Sequence, residues 1–161
     1  MNRTPLSIAI VLASLLECTE PEASGPPTLH VGVGACADCG MSVLEPAYAA
    51  AALFERDGRR EHAVFDDVGC MRYWEAQLAN ARILEMWSGV VDAEGWVNVN
   101  AGHFVVGSDI RTPMDFHIVC CASSAAADEL VHSRGGTCVS CVQVQPVLSQ
   151  KTATGTPISV P

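Results

Sequence analysis

His62-Ala63-Val64-Phe65-Asp66-Asp67-Val68-Gly69-Cys70-Met71 is the stretch in which one kind of secondary structure gives way to another. His62 to Phe65 is a short β-prone run, and it lies beyond the turn signal Arg56-Asp57-Gly58 that ends the small apolar run Ala47 to Phe54. Two apolar runs joined by such a turn predict a hairpin. From Gly69 to Asn80 the period changes: Met71, Trp74 and Leu78 share one helical face, while Arg72, Glu75 and Asn80 fall elsewhere. Asp66 and Asp67 stand at the start of that helix, where a carboxylate accepts unpaired backbone N–H groups, and both are read as helix-starting residues rather than ligands or an acid pair. Ile83 to Val91 is apolar and partly alternating, and Asp92-Ala93-Glu94-Gly95 is a turn. The segment therefore reads strand, strand, helix, strand.

Working outward, the same order recurs. Trp96 to Asn100 alternates, Phe104-Val105-Val106 and Phe116 to Ala122 are apolar, Ser123 and Ser124 can cap a helix over Ala125 to His132, and Arg134-Gly135-Gly136 ends it. Val139 to Val144 is expected as the last strand. The chain thus predicts an α+β protein of two similar halves packed together, the first over 31–92 and the second over 93–145, with a Pro, Ser, Thr and Gly tail over 146–161 expected to be mobile.

Upstream of the first unit, Cys36-Ala37-Asp38-Cys39-Gly40-Met41 sets two thiols three residues apart with a thioether close behind. The pair alone fits half a zinc site, a redox pair or a disulfide. The added thioether favours a soft ion such as Cu(I), and Gly40 lets the backbone turn so that Met41 can swing towards the thiols. His30 lies near enough in sequence to add a nitrogen; His62, His103, His117 and His132 show no ligand spacing and default to structural roles. Met71, Trp74 and Met86 are expected in the core. Met114 follows a proline in the loop Ser108 to Pro113, where no packing period accounts for it, so ligand and loop anchor both stay open.

Composition excludes some classes. Among 161 residues, nine basic side chains face eighteen acidic ones, a formal charge of −9, and nucleic acid needs the opposite sign. The apolar share of 49 % supplies a core. Arg3 precedes an apolar run from Leu6 to Leu16, too short as a helix for the roughly 30 Å hydrocarbon layer, so residues 1–17 read as an export signal. Cys18 follows in a setting similar to a bacterial lipobox, although Glu17 stands where a small residue is usual; lipidation at Cys18 and a simple secretory signal are the two readings. Residues 18–30, rich in proline and small polar residues, form a tether.

Three landmarks stand in order: Cys36-Ala37-Asp38-Cys39-Gly40-Met41, then Phe65-Asp66-Asp67-Val68-Gly69-Cys70-Met71 with Tyr73, then Thr112-Pro113-Met114. Together they resemble the NosL family over roughly Val31 to Val144. The resemblance implies a pair of ββαβ units related to organomercurial lyase, and an exported, periplasmic, usually lipid-anchored, non-enzymatic carrier of Cu(I) for the copper-sulfide cluster of nitrous oxide reductase. The enzyme and its assembly transporter are then partners, alongside a membrane reached through Cys18. The resemblance also implies Cu(I) ligands at Cys36, Cys39, Met41 and Met114. The sequence departs from the family at Cys120-Cys121 and Cys138-Val139-Ser140-Cys141, where plain apolar residues are usual. These thiols have three readings: an extension of the copper site, disulfides, or small buried hydrophobes. With Cys18 acylated, an odd number of cysteines remains, which argues against a full disulfide framework. A four-cysteine zinc site from the two Cys-x-x-Cys pairs is disfavoured, because a strand would point Cys138 and Cys141 to opposite faces. The rivals are a thiol-disulfide redox protein using Cys36 and Cys39, a general copper or zinc carrier and, from fold analogy alone, an organomercury-cleaving enzyme.

Overall fold

The computed structural model describes residues 22–144; the export signal, Cys18 and the tail over 146–161 lie outside them. The first hairpin pairs β1 (Ala50–Arg56) with β2 (Arg59–Phe65) in the register Ala50 to Phe65 and Arg56 to Arg59. Only Asp57 and Gly58 lie between the strands, both at positive φ (52° and 75°), the conformation whose twist matches the flanking strands. Helix α1 (Val68–Gln77) follows, and β3 (Arg82–Gly89) returns to the other side of β1. After β4 (Trp96–Asn98), the second unit runs β5 (His103–Val106), β6 (Ile118–Cys121), α2 (Ser124–Arg134) and β7 (Thr137–Val139).

The sheets have the orders β2-β1-β3-β4 and β6-β5-β7, with every pairing antiparallel. Without β4 the two are the same design: a hairpin whose first strand becomes the middle of the sheet, a helix, and a strand closing on the far side of that first strand. The alternating run at Trp96, expected to open the second unit, is instead β4 and pairs with β3. It extends the first sheet by one strand, so the seam between the units falls after it.

The run Ala50 to Phe54 is apolar without a break because both faces of β1 are covered. Ala50, Ala52 and Phe54 face the main core, where they meet Phe65 and Met71 of the first unit and Phe104, Val106, Ile118 and Cys120 of the second. Ala51 and Leu53 face a small cluster with Trp87. In the second sheet, Val105, Val119 and Cys121 turn away from the main core towards Ala127 of α2. Sequence neighbours Cys120 and Cys121 therefore lie on opposite faces of β6, as the strand period requires.

Both helices start on side-chain caps: Asp67 accepts from the Gly69 N–H at 2.8 Å, and Ser123 from the Ala126 N–H at 3.2 Å. Gly135 ends α2 at φ 72°, its N–H donating to the Val131 carbonyl. The expected strand over Val139 to Val144 is corrected: β7 stops at Val139 and residues 141–144 form a helical turn. The Gln143 side chain turns back to accept from the Ser140 N–H at 2.9 Å, the reciprocal half of a capping box with the pattern Ser-x-x-Gln. The end of the tether is held down. His62 Nε2 lies 2.7 Å from the Gly25 carbonyl, and the Trp96 indole donates to the Pro27 carbonyl at 2.9 Å, so residues 22–30 run along the first unit.

Candidate metal centre

The segment 32–44 folds back on itself before the first hairpin begins. Gly32 donates to the Val43 carbonyl, Val43 to that of Gly34, and Ala35 and Ser42 form an antiparallel bridge. Within it the Cys36 N–H reaches the Met41 carbonyl at 2.7 Å and the Gly40 N–H reaches the Cys36 carbonyl at 2.9 Å. Gly40 sits at φ +77°, a conformation that side chains with a Cβ disfavour, which is why the tight turn has glycine there. One hydrogen bond, from the Ala37 N–H to the Val64 carbonyl, ties this loop to the end of β2. Asp66 follows that end directly.

The loop thereby sets Cys36 and Cys39 over the junction of β2 and α1. Ligating atoms of Cys36, Cys39, Asp66 and Cys70 all lie within 4.8 Å of one another. Cys36, Asp66 and Cys70 are buried, and Cys39 stands at the solvent edge. The Cys39 sulfur is 3.6 Å from each carboxylate oxygen of Asp66. The two aspartates thus part company. Asp67 is the helix cap, whereas Asp66, expected to share that role, faces the thiols instead. Strand geometry explains the split, since consecutive residues leaving β2 point to opposite sides.

Electrostatics sort the three thiols. Cys36 is lowered to about 6, chiefly because the Cys70 thiol donates a hydrogen bond to its sulfur; the Cys39 and Asp66 backbone N–H groups help, against the cost of burial. Cys70 is pushed far above the usual thiol range by donating that hydrogen bond, by burial and by the negative Cys36 and Asp66. Burial raises Cys39, with Cys36 and Asp66 adding repulsion, while the Met41 backbone N–H opposes the shift. The shifts single out Cys36 as the thiol that ionises most readily, beside two thiols that can release protons when a cation arrives. Three soft sulfurs and one hard oxygen within ligand distance fit a thiophilic cation.

Of the residues singled out in the sequence, Cys36 and Cys39 are brought together. Met41 forms the turn by its backbone and its side chain is 52 % exposed. Met114 belongs to the second unit, is half-buried against the same core as Cys36 and Cys70, and donates its N–H to Asp67 Oδ2 at 3.3 Å. His30 is exposed and adds no atom to the cluster. His62 and His117 hold backbone carbonyls, those of Gly25 and Ser108. Sequence reasoning missed Cys70 and Asp66 as members of the site. The signal for both was the landmark Phe65 to Met71, which places Asp66 just before the helix start and Cys70 in its first turn.

The four extra thiols stand apart from the cluster. All seven described cysteines are free. Burial pushes Cys120 up to about 12 and Cys121 up to about 11. Those two behave as small apolar side chains. Cys138 lies exposed on β7, and Cys141 is buried in the turn after it, not in a strand as the zinc argument assumed.

Comparison with known proteins follows the same lines. The NosL family model matches residues 31–148. No curated protein matches the chain. Among solved structures, the copper chaperone NosL from Shewanella denitrificans superposes with a TM-score of 0.59 at 17 % identity, over 73 % of this chain and 96 % of that one, a likeness of fold. The family match spans most of the chain, from the approach to Cys36 past the last strand, and the chain therefore belongs to the NosL family.

Proposed function

We propose that this protein is an extracytoplasmic, non-enzymatic Cu(I) chaperone that delivers copper for the copper-sulfide cluster of nitrous oxide reductase. The observation that carries the reading is the convergence of Cys36, Cys39, Cys70 and Asp66 under a loop whose outer edge is exposed, with the Cys36 thiol shifted down towards its ionised form. Copper is the cargo. Cys36 and Cys70 offer sulfur from the buried side, Cys39 from the solvent side, and Met41 and Met114 add exchangeable thioethers, with two or three of these sulfurs on the ion at a time. Cu(I) is satisfied by two or three sulfurs, so a partner's ligand can enter beside Cys39 before a donor leaves. Membership of the NosL family and the copper chaperone fold neighbour support the cargo; the acceptor is what the family resemblance implies. The signal-like residues 1–17 and Cys18 support export and lipid anchoring.

A thiol-disulfide enzyme is disfavoured by the same geometry. Such enzymes attack with an exposed, low-pKa thiol. Here the thiolate is buried Cys36, while exposed Cys39 is shifted the other way.

The test is a competition titration with a chromophoric Cu(I) chelator and, in parallel, with a zinc indicator. We expect Cu(I) to bind tightly to wild type and to be lost in Cys36→Ser. Because three thiols and a carboxylate also suit tetrahedral zinc, tight zinc binding with weak Cu(I) binding would replace this reading by that of a zinc carrier.

A further inference from the structure

Asp67 is fully buried, and the helix cap accounts for only one of its two carboxylate oxygens. The other, Oδ2, accepts from the Met114 N–H at 3.3 Å, and the Thr112 hydroxyl also hydrogen-bonds to the carboxylate. Thr112 can donate there because its own oxygen is taken up as an acceptor, by the N–H groups of Phe116 at 3.1 Å and His117 at 3.3 Å. The loop is thus folded around Thr112 and Thr112 is fastened to Asp67. A second contact presses the same loop onto α1. The Phe116 ring lies so close to Gly69 that a Cβ there would stand 2.1 Å from it, and the ring packs on Tyr73 with centroids 5.6 Å apart. The partners of Asp67 therefore come from both units: the first turn of α1, which carries Cys70, and the loop that carries Met114.

We propose that Asp67 is a positioning residue of the metal site, which latches the Thr112-Pro113-Met114 loop onto the turn bearing Cys70 and so presents the Met114 thioether to the metal held by the first unit's thiols. The inference rests on the copper reading above. A carboxyl cap is more than α1 needs, since the serine at the start of α2 does the same task. A carboxylate is required where two acceptor oxygens must serve two units at once.

Asp67→Asn separates the two roles. An amide keeps one oxygen for the Gly69 N–H but turns an NH2 group towards the Met114 N–H, donor against donor. The helix cap survives and the latch opens. In the metal-free protein, amide hydrogen exchange at Met114 should accelerate while exchange within α1 stays at the wild-type rate. In the Cu(I)-loaded protein, affinity should fall about tenfold and X-ray absorption should show one sulfur fewer around copper. Met114→Leu should cause the same two changes, and the double variant should be no worse than either alone. Thr112→Val attacks the latch from the loop side and reports even where Asp67→Asn fails to fold; Thr112→Ser should restore wild-type binding. Wild-type affinity and sulfur count in Thr112→Val, losses that add in full in the double variant, or a silent Met114→Leu would each overturn the inference. Cys36→Ser keeps the two failures apart. If it binds Cu(I) as wild type does, the copper reading itself falls; if it loses copper while the latch variants keep it, only the role of Asp67 falls.

Discussion

The two units share one topology, and each has thiols at the passage from its second strand to its helix, yet among the described residues only the first gathers them into a cluster that could hold a metal. In the first, the passage runs Phe65-Asp66-Asp67-Val68-Gly69-Cys70, with the thiol inside the helix and a carboxylate before the cap. In the second, it runs Cys120-Cys121-Ala122-Ser123, with both thiols on the strand. A strand sends successive side chains to opposite faces, so Cys120 and Cys121 enter different clusters and are raised to about 12 and 11. In the first unit a separate loop lowers Cys36 and Cys39 onto the junction, and Cys36 falls to about 6. Number of sulfurs does not make a metal centre; convergence of elements does.

Removing one thiol from each unit should separate the two most sharply. Cys36→Ser should weaken Cu(I) binding by about a hundredfold or more, and Cys120→Ser by less than about twofold, in the chelator competition. Equal losses would mean that the second unit also binds metal. Next in size is Cys70→Ala, which the sequence alone would class as a core substitution. Its Cu(I) affinity should fall by about tenfold or more, whereas Cys121→Ala should lower stability and leave affinity alone, as melting curves and titrations on the same samples would show.

The two helix starts differ as well. Gly69 lies two residues after its cap beneath Phe116, and Ala125 lies two residues after Ser123. Gly69→Ala should cost about 1–3 kcal/mol in denaturant unfolding, because the ring must move, while Ala125→Gly should cost about 1 kcal/mol or less.

The smallest effect is that of pH. Cys36 is depressed in the folded protein, so its thiolate contributes stability fully present above the unfolded thiol value near 8.5–9 and lost as pH falls through about 6. Metal-free wild type should therefore lose stability relative to Cys36→Ser between about pH 9 and 6, and ultraviolet thiolate absorbance should titrate near 6 in wild type only. Cu(I) binding at neutral pH should release protons from Cys39 and Cys70, not from Cys36, and affinity should drop further once pH passes below 6.

Much of the plan was legible because it is local. The Asp57-Gly58 turn, the face of Met71 and Trp74, the cap at Ser123 and the stop at Gly135 each follow from a few neighbouring residues. Two elements were misplaced for a physical reason. The run at Trp96 is a good strand by pattern, but pattern does not name the edge to which a strand will pair. Beyond Val139 the apolar residues masked a Ser-x-x-Gln capping signal. At the site, Cys36 and Cys39 were visible through their spacing. Cys70 looked like one more apolar residue beside Met71, and Asp66 like half of a helix cap.

By itself, then, the sequence determined the order of strands and helices, the sharp turn at Gly40 and the soft donors on either side of it, all set by backbone preferences and side-chain periods over a few residues. Only the tertiary structure decided which sulfurs meet. Cys36 and Cys70 come together because a hydrogen bond from Ala37 to Val64 and the packing of α1 fix the loop over the helix start. Distances between residues far apart in the chain are set by how elements pack, and no local pattern carries them.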